Sequence, residues 1–250
     1  SSSGMTAKPN ARKAGSEVAD TISLLAQHRP SSGDGKPGIF RMQAAGEADL
    51  IAVPHSDDLF VARGDFWFPF VDGQMAIRIG APVLRYQFGE KIDIGLGDLN
   101  LHWDWAPKIA GPNGLLVSVD TTWDTATRDR LGVNRQTIAP AVAYVVPLSS
   151  TLTLAPALEH RVSWGSGDGG RISLTDIHAY VTWLGNPTWW FVADPAISIN
   201  HEADRSWMSL DVEAGFQVTR GLSAYARPGF ALGDERPYDV HLAAGVVANF

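Results

Sequence analysis

Residues 94–106 read IGLGDLNLHWDWA, and from Asp98 onward polar and apolar residues alternate without a break. Asp98, Asn100, His102 and Asp104 fall on one parity; Leu99, Leu101, Trp103 and Trp105 fall on the other. Successive strand side chains point to opposite faces, so the stretch predicts a strand with one polar and one apolar face. A soluble sheet packed on a core can carry that pattern, and so can a strand lining an aqueous lumen. The rest of the chain decides which face is inside.

Twelve strand-length pieces are predicted from residue 38 onward: 38–53, 59–70, 74–86, 94–106, 114–126, 136–148, 151–164, 172–185, 189–201, 207–219, 221–232 and 238–250. The first is the least regular, because Gly46 and Glu47 interrupt it. Tight turn-formers such as Asp72-Gly73, Ser149-Ser150 and Arg220-Gly221 alternate with longer polar links at 128–134, 165–170 and 233–237. Short turns at one end and long loops at the other are the rhythm of an up-and-down barrel.

The parity test repeats along these pieces. Arg63 and Asp65 oppose Phe66 and Phe68, Glu159 and Arg161 oppose Leu158 and Val162, and Asp211 and Glu213 oppose Leu210 and Val212. Acids and bases share one face. The other carries almost no charge, with Arg85, His160 and His201 as exceptions near strand ends. A soluble barrel turns its charged face outward; a membrane barrel turns it inward and sets the apolar face against lipid. Three features favour the inverted arrangement. Trp103, Trp105, Trp123, Trp164, Trp183, Trp189 and Trp207 sit toward the ends of apolar faces, as an aromatic girdle would. The pieces run about 12–14 residues, longer than soluble strands and sufficient for a tilted span. The last residue given, Phe250, closes the final strand on its apolar parity. It resembles the terminal aromatic that the bacterial barrel assembly machinery recognises.

Composition is consistent with this. The 250 residues are 45% hydrophobic, yet no run of about 18 apolar residues supplies a transmembrane helix. A formal charge of −7 argues against a nucleic-acid partner. The absence of cysteine removes disulfides and thiolate metal sites. The prediction is an all-β protein: a transmembrane antiparallel up-and-down barrel of about twelve strands over residues 38–250. It is expected to be a monomer in the bacterial outer membrane, in contact with lipid and lipopolysaccharide. Residues 1–37 are polar and breaker-rich, with Ser16 as a candidate N-cap and Val18, Ile22 and Leu25 at helical spacing. They read either as a mobile tail with a short helix or as a plug segment entering the lumen.

Several stretches together resemble the MetA-pathway phenol-degradation-like family of outer-membrane channels. They are GDFWFPF at 64–70, IRIGAPV at 77–83, GLGDLNLHWDWAP at 95–107, TWDTATRDRLG at 122–132, AP at 139–140 and SWGSGDGGR at 163–171. The resemblance covers residues 59–230 and departs from the family pattern in the first 55 residues and the last hairpin. It implies a twelve-stranded barrel whose pre-barrel segment enters the lumen, with uptake of small hydrophobic molecules as its role.

The candidate lumen or constriction residues are Arg63, Asp65, Arg78, Asp98, His102, Asp104, Asp120, Asp124, Glu159, Arg161, Asp211, Glu213 and Arg227. Their mixed signs suit ion-pair ladders; a charged constriction that selects ions is the alternative. Asp98 is expected to anchor a lumenal network, with Gly95 and Gly97 permitting close backbone approach. Pro69, Pro82, Pro140, Pro156 and Pro195 each remove a ladder donor within a strand and mark a candidate lateral gate. No cofactor or catalytic residue is assigned. A lipid hydrolase would need Ser163 or Ser173 beside His160 or His178, and a metal would need His102, His178 and His241 to converge; neither has a supporting motif. A passive pore for polar solutes is the other transport reading.

Overall fold

The computed structural model describes residues 40–53, 59–87, 95–128, 131–165, 170–185, 188–233 and 236–250, with 83–87 by backbone alone. The proposed N-terminal plug, residues 1–37, lies outside these. Each predicted piece yields a strand. In chain order they are β1 (Gln43–Ala52), β2 (Leu59–Phe70), β3 (Met75–Gln87), β4 (Leu99–Trp105), β5 (Gly114–Trp123) and β6 (Gln136–Pro147). They continue with β7 (Leu152–Trp164), β8 (Ser173–Trp183), β9 (Trp189–Asn200), β10 (Arg205–Thr219), β11 (Leu222–Leu232) and β12 (Val240–Asn249). Every strand pairs antiparallel with its sequence neighbours, and β1 pairs with β12, closing a meander into a barrel. Closure removes the unpaired edges that an open sheet would expose.

Turn chemistry sets the short-turn end. Val71, Asp72 and Gly73 all take positive φ in the β2–β3 turn, where the Gly73 N–H donates to the Phe70 carbonyl at 3.1 Å. β4 is shorter than predicted: residues 95–98 form a loop, for a reason given below.

Burial settles the parity question. Asp65, Arg78, His102, Asp120, Glu159, Arg161, Asp176, Asp211, Glu213 and Arg227 are buried inside the closed wall. Phe66, Ile79, Leu101, Val142, Leu158, Ile177, Val212 and Leu242 lie exposed on its outside. A water-soluble protein rarely exposes so much contiguous apolar surface; hydrocarbon makes it favourable.

Aromatic rings collect toward both rims. Trp123 and Trp164 meet edge-on at 6.0 Å at the long-loop end. At the short-turn end Trp183 lies 5.5 Å from Phe191, and Trp189 lies 5.2 Å from Phe216. Trp207 does not belong to this girdle. It shares parity with Ser209 and Asp211 and packs on the inward cluster of Ile51, Leu59, Ala231 and Tyr238. The outward polar exceptions satisfy one another: the Thr175 hydroxyl lies 2.9 Å from His160 Nδ1 and 2.8 Å from His201 Nε2. The backbone of Arg85 pairs with Val61.

Candidate functional site

Among the described residues, four groups of buried polar side chains line the lumen. The first centres on Glu47 of β1. Arg63 of β2 and Arg227 of β11 donate to its two oxygens, and the Tyr225 hydroxyl donates to Oε2 at 2.6 Å. Arg227 also lies 3.6 Å from Glu213, whose Oε1 accepts the Trp190 indole N–H at 2.6 Å. The second group surrounds His102, 2.9 Å from Asp104 and 3.6 Å from Asp120. The amide of Asn100 donates to Asp120 at 2.6 Å, and the Arg78 guanidinium sits 5.3 Å over the Trp67 ring.

The third group joins Arg161 to Glu159 at 3.0 Å, the Ser198 hydroxyl to Asp176, and His178 to Asp194 at 2.9 Å. In the fourth, His241 lies 2.7 Å from Asp211 and 3.2 Å from Asp49. The buried arginines thus face carboxylates or an aromatic ring. That is how a closed wall tolerates charge, because an unpaired buried ion costs several kcal/mol.

One stretch of wall differs. Inward and buried on β6 are Thr137, Ala139, Ala141 and Ala143; on β7 Thr153, Ala155 and Ala157 are followed by the charged Glu159 and Arg161. Of these, Ala141, Ala143, Ala155 and Ala157 join Leu116, Tyr180, Trp190, Val192 and Phe40 in an apolar cluster toward the short-turn end. Phe40, just before β1, packs in this cluster, and its N–H donates to the Gly73 carbonyl at 2.9 Å. On β5, β7, β8 and β9 the lumen wall therefore passes from apolar toward the short-turn end to charged beyond it.

Two sequence-predicted residues are placed differently. Asp124 lies beyond the end of β5 and is exposed, because the strand stops at Trp123. Asp98 is buried, but it anchors a loop instead of a wall network. Its Oδ1 accepts the Thr125 and Ala126 N–H groups at 3.1 and 3.0 Å, and its Oδ2 accepts the Val133 N–H at 2.6 Å. This clasp holds the β5–β6 loop against the GLGD segment, which is why β4 begins only at Leu99. Gly95 permits the approach: a Cβ there would sit 2.7 Å from the Leu131 side chain.

The prolines mark interruptions in the ladder. Pairing between β6 and β7 skips Ala139/Arg161 with Pro140/His160, and again Tyr144/Pro156 with Val145/Ala155. Pairing between β8 and β9 skips the places beside Pro195. Pro82 sits at the β2–β3 register shift, and Pro69 pairs with Ala76 near the turn. The enzyme and metal constellations do not assemble. Ser163 accepts the Ile172 N–H at 2.9 Å, while His160 and His178 bond Thr175 and Asp194 instead. Among the described residues no group of three or more metal-ligating side chains converges.

Sequence reasoning missed Glu47, the hub of the first group, because Gly46 broke the expected alternation in β1. It also passed over Asn100, Asp49 and Tyr225 as network members.

No protein-family model matches the chain, and no curated protein matches it. Solved structures do. The COG4313 outer membrane channel from Pseudomonas putida F1 aligns over 89% of this chain and 100% of its own, with 14% identity and a TM-score of 0.70. The KdgM porin aligns over 83% and 99%, with 7% identity and a TM-score of 0.60. The NanC porin aligns over 84% and 100%, with 11% identity and a TM-score of 0.58. The chain has the fold of a bacterial outer-membrane β-barrel, and its apolar exterior suits that location.

Proposed function

We propose that this barrel is an outer-membrane channel for uptake of small hydrophobic or aromatic molecules. The observation that carries the reading is the apolar cluster toward the short-turn end, where Ala141, Ala143, Ala155 and Ala157 sit beside Leu116, Tyr180 and Val192. An aromatic or aliphatic body can lie against Ala143, Ala155 and Ala157 in that cluster. Polar substituents can face the charged groups beyond it. The fold it shares with solved channels and porins agrees with transport.

The same two strands offer a way out toward lipid. Pro140 and Pro156 lie in one seam on opposite strands, and each removes a backbone donor. The seam is thus weakened beside the apolar cluster, and a hydrophobic solute leaves there laterally. Phe40, just before β1, already enters the apolar cluster at the short-turn end.

The 250 residues include no cysteine, so the seam can be locked cleanly. Ala143 and Ala157 are in register across it, and an A143C/A157C pair places one disulfide there. Oxidation is expected to block transfer of a hydrophobic dye through proteoliposomes, and reductant to restore it, with ion conductance unchanged. Equal dye transfer in both states removes the lateral route. A parent barrel that passes polar solutes but no hydrophobic probe favours the polar-pore reading.

A further inference from the structure

We propose that four lumen-facing glycines, Gly80, Gly215, Gly229 and Gly245, set the bore of the barrel by letting a large neighbouring side chain lie flat across each of them. The proposal rests on the lumen being the passage. Each glycine is in register with a bulkier inward residue on the next strand: Gly80 with Asp65, Gly215 with Trp190, Gly229 with Asp211 and Gly245 with Tyr225.

A Cβ on any of the four would collide with that partner. At Gly245 it would fall 2.5 Å from the Tyr225 ring, and at the other three closer still. None of the four has a positive φ, so backbone conformation is not what calls for glycine. Outward-facing glycines lack this crowding. A Cβ at Gly46 would meet nothing within 4 Å, and one at Gly64 only the Ala45 carbonyl at 3.9 Å.

The slots let side chains cross a whole strand. Tyr225 on β11 reaches Glu47 on β1 at 2.6 Å, and Gly245 of the intervening β12 pairs with both. Neighbouring strands are about 4.8 Å apart, so that reach is possible only if the ring lies along the wall. Likewise Asp211 on β10 and His241 on β12 meet at 2.7 Å over Gly229 of β11. Trp190, Gly215, Tyr225, Gly245 and Glu47 then form one continuous row over five strands. Aromatic rings commonly cover glycines across strands. Here the covering occurs on the inside, where it keeps two large rings out of the passage.

The test is single-channel conductance of the refolded full-length chain, with folding scored by heat-dependent gel mobility. Gly215→Ala and Gly245→Ala are expected to lower conductance roughly two-fold, because a displaced ring enters a narrow bore. Gly46→Ala and Gly64→Ala should match the parent. Truncating the ring as well, in G245A/Y225A and G215A/W190A, should restore conductance. A single variant that fails to refold while its double refolds and conducts supports the slot equally.

Folded single variants with parental conductance overturn the proposal, as do doubles that stay low or fail to refold. A parent that does not conduct at all overturns the passage itself, and is seen before any variant is compared.

Discussion

Glu47→Ala removes a carboxylate that Arg63, Arg227 and Tyr225 share inside the wall. Two guanidinium groups then lose that shared anion. Deleting one partner of a buried pair costs about 3–5 kcal/mol, since the other charge stays buried. Arg63 retains 16% side-chain exposure and Arg227 keeps Glu213 at 3.6 Å, which places the expected loss at the lower end, about 3 kcal/mol. Glu47→Gln keeps the shape and one acceptor for Tyr225, so it should cost less than the alanine. Urea unfolding of the detergent-refolded barrel, followed by tryptophan fluorescence, measures both. A loss below about 1 kcal/mol for Glu47→Ala, the range of exposed pairs, would mean that lumen water screens the site. The network would then contribute little.

Three further outcomes are expected. Asp98→Ala should free the β5–β6 loop, giving faster protease cleavage within 124–135 with little change in barrel unfolding. Each lost charge-assisted hydrogen bond is worth about 1.5–3 kcal/mol locally. Val212→Arg and Leu242→Arg, both outward, should each cost about 2–4 kcal/mol in a bilayer-mimetic refolding titration, whereas inward Ser223→Asn should stay within about 1 kcal/mol. Removing residues 1–37 should raise single-channel conductance if that segment restricts the lumen; unchanged conductance would make it a tail.

The alternation around His102 and Asp211 made the strands and their faces legible, because charged and large apolar residues each declare a side. Where a strand lacks such residues the sequence is mute. Ala139, Ala141 and Ala143 suit either face, so the apolar wall emerged only once β6 was flanked by its neighbours. Trp207 was misassigned because a tryptophan near a strand end suggests a girdle, although its parity with Asp211 places it inward. Asp98 and Asp124 show the limit at strand ends, where two residues decide between wall and loop. What Asp98 binds lies 27 to 35 residues away. The glycine slots were illegible for the same reason: each is a property of two strands in register. Tyr225 and Gly245 meet across the β11–β12 hairpin, and Glu47 joins them only after closure.

The central claim is that lipid meets the apolar face and the charged face lines the lumen. Single cysteines placed in turn from 208 to 218 along β10, labelled with a fluorophore and reconstituted with spin-labelled lipid, test it directly. The account predicts quenching with a period of two: strong at Met208, Leu210, Val212, Ala214, Phe216 and Val218, and weak at Ser209, Asp211 and Glu213. Quenching of the opposite phase, or without alternation, would contradict it.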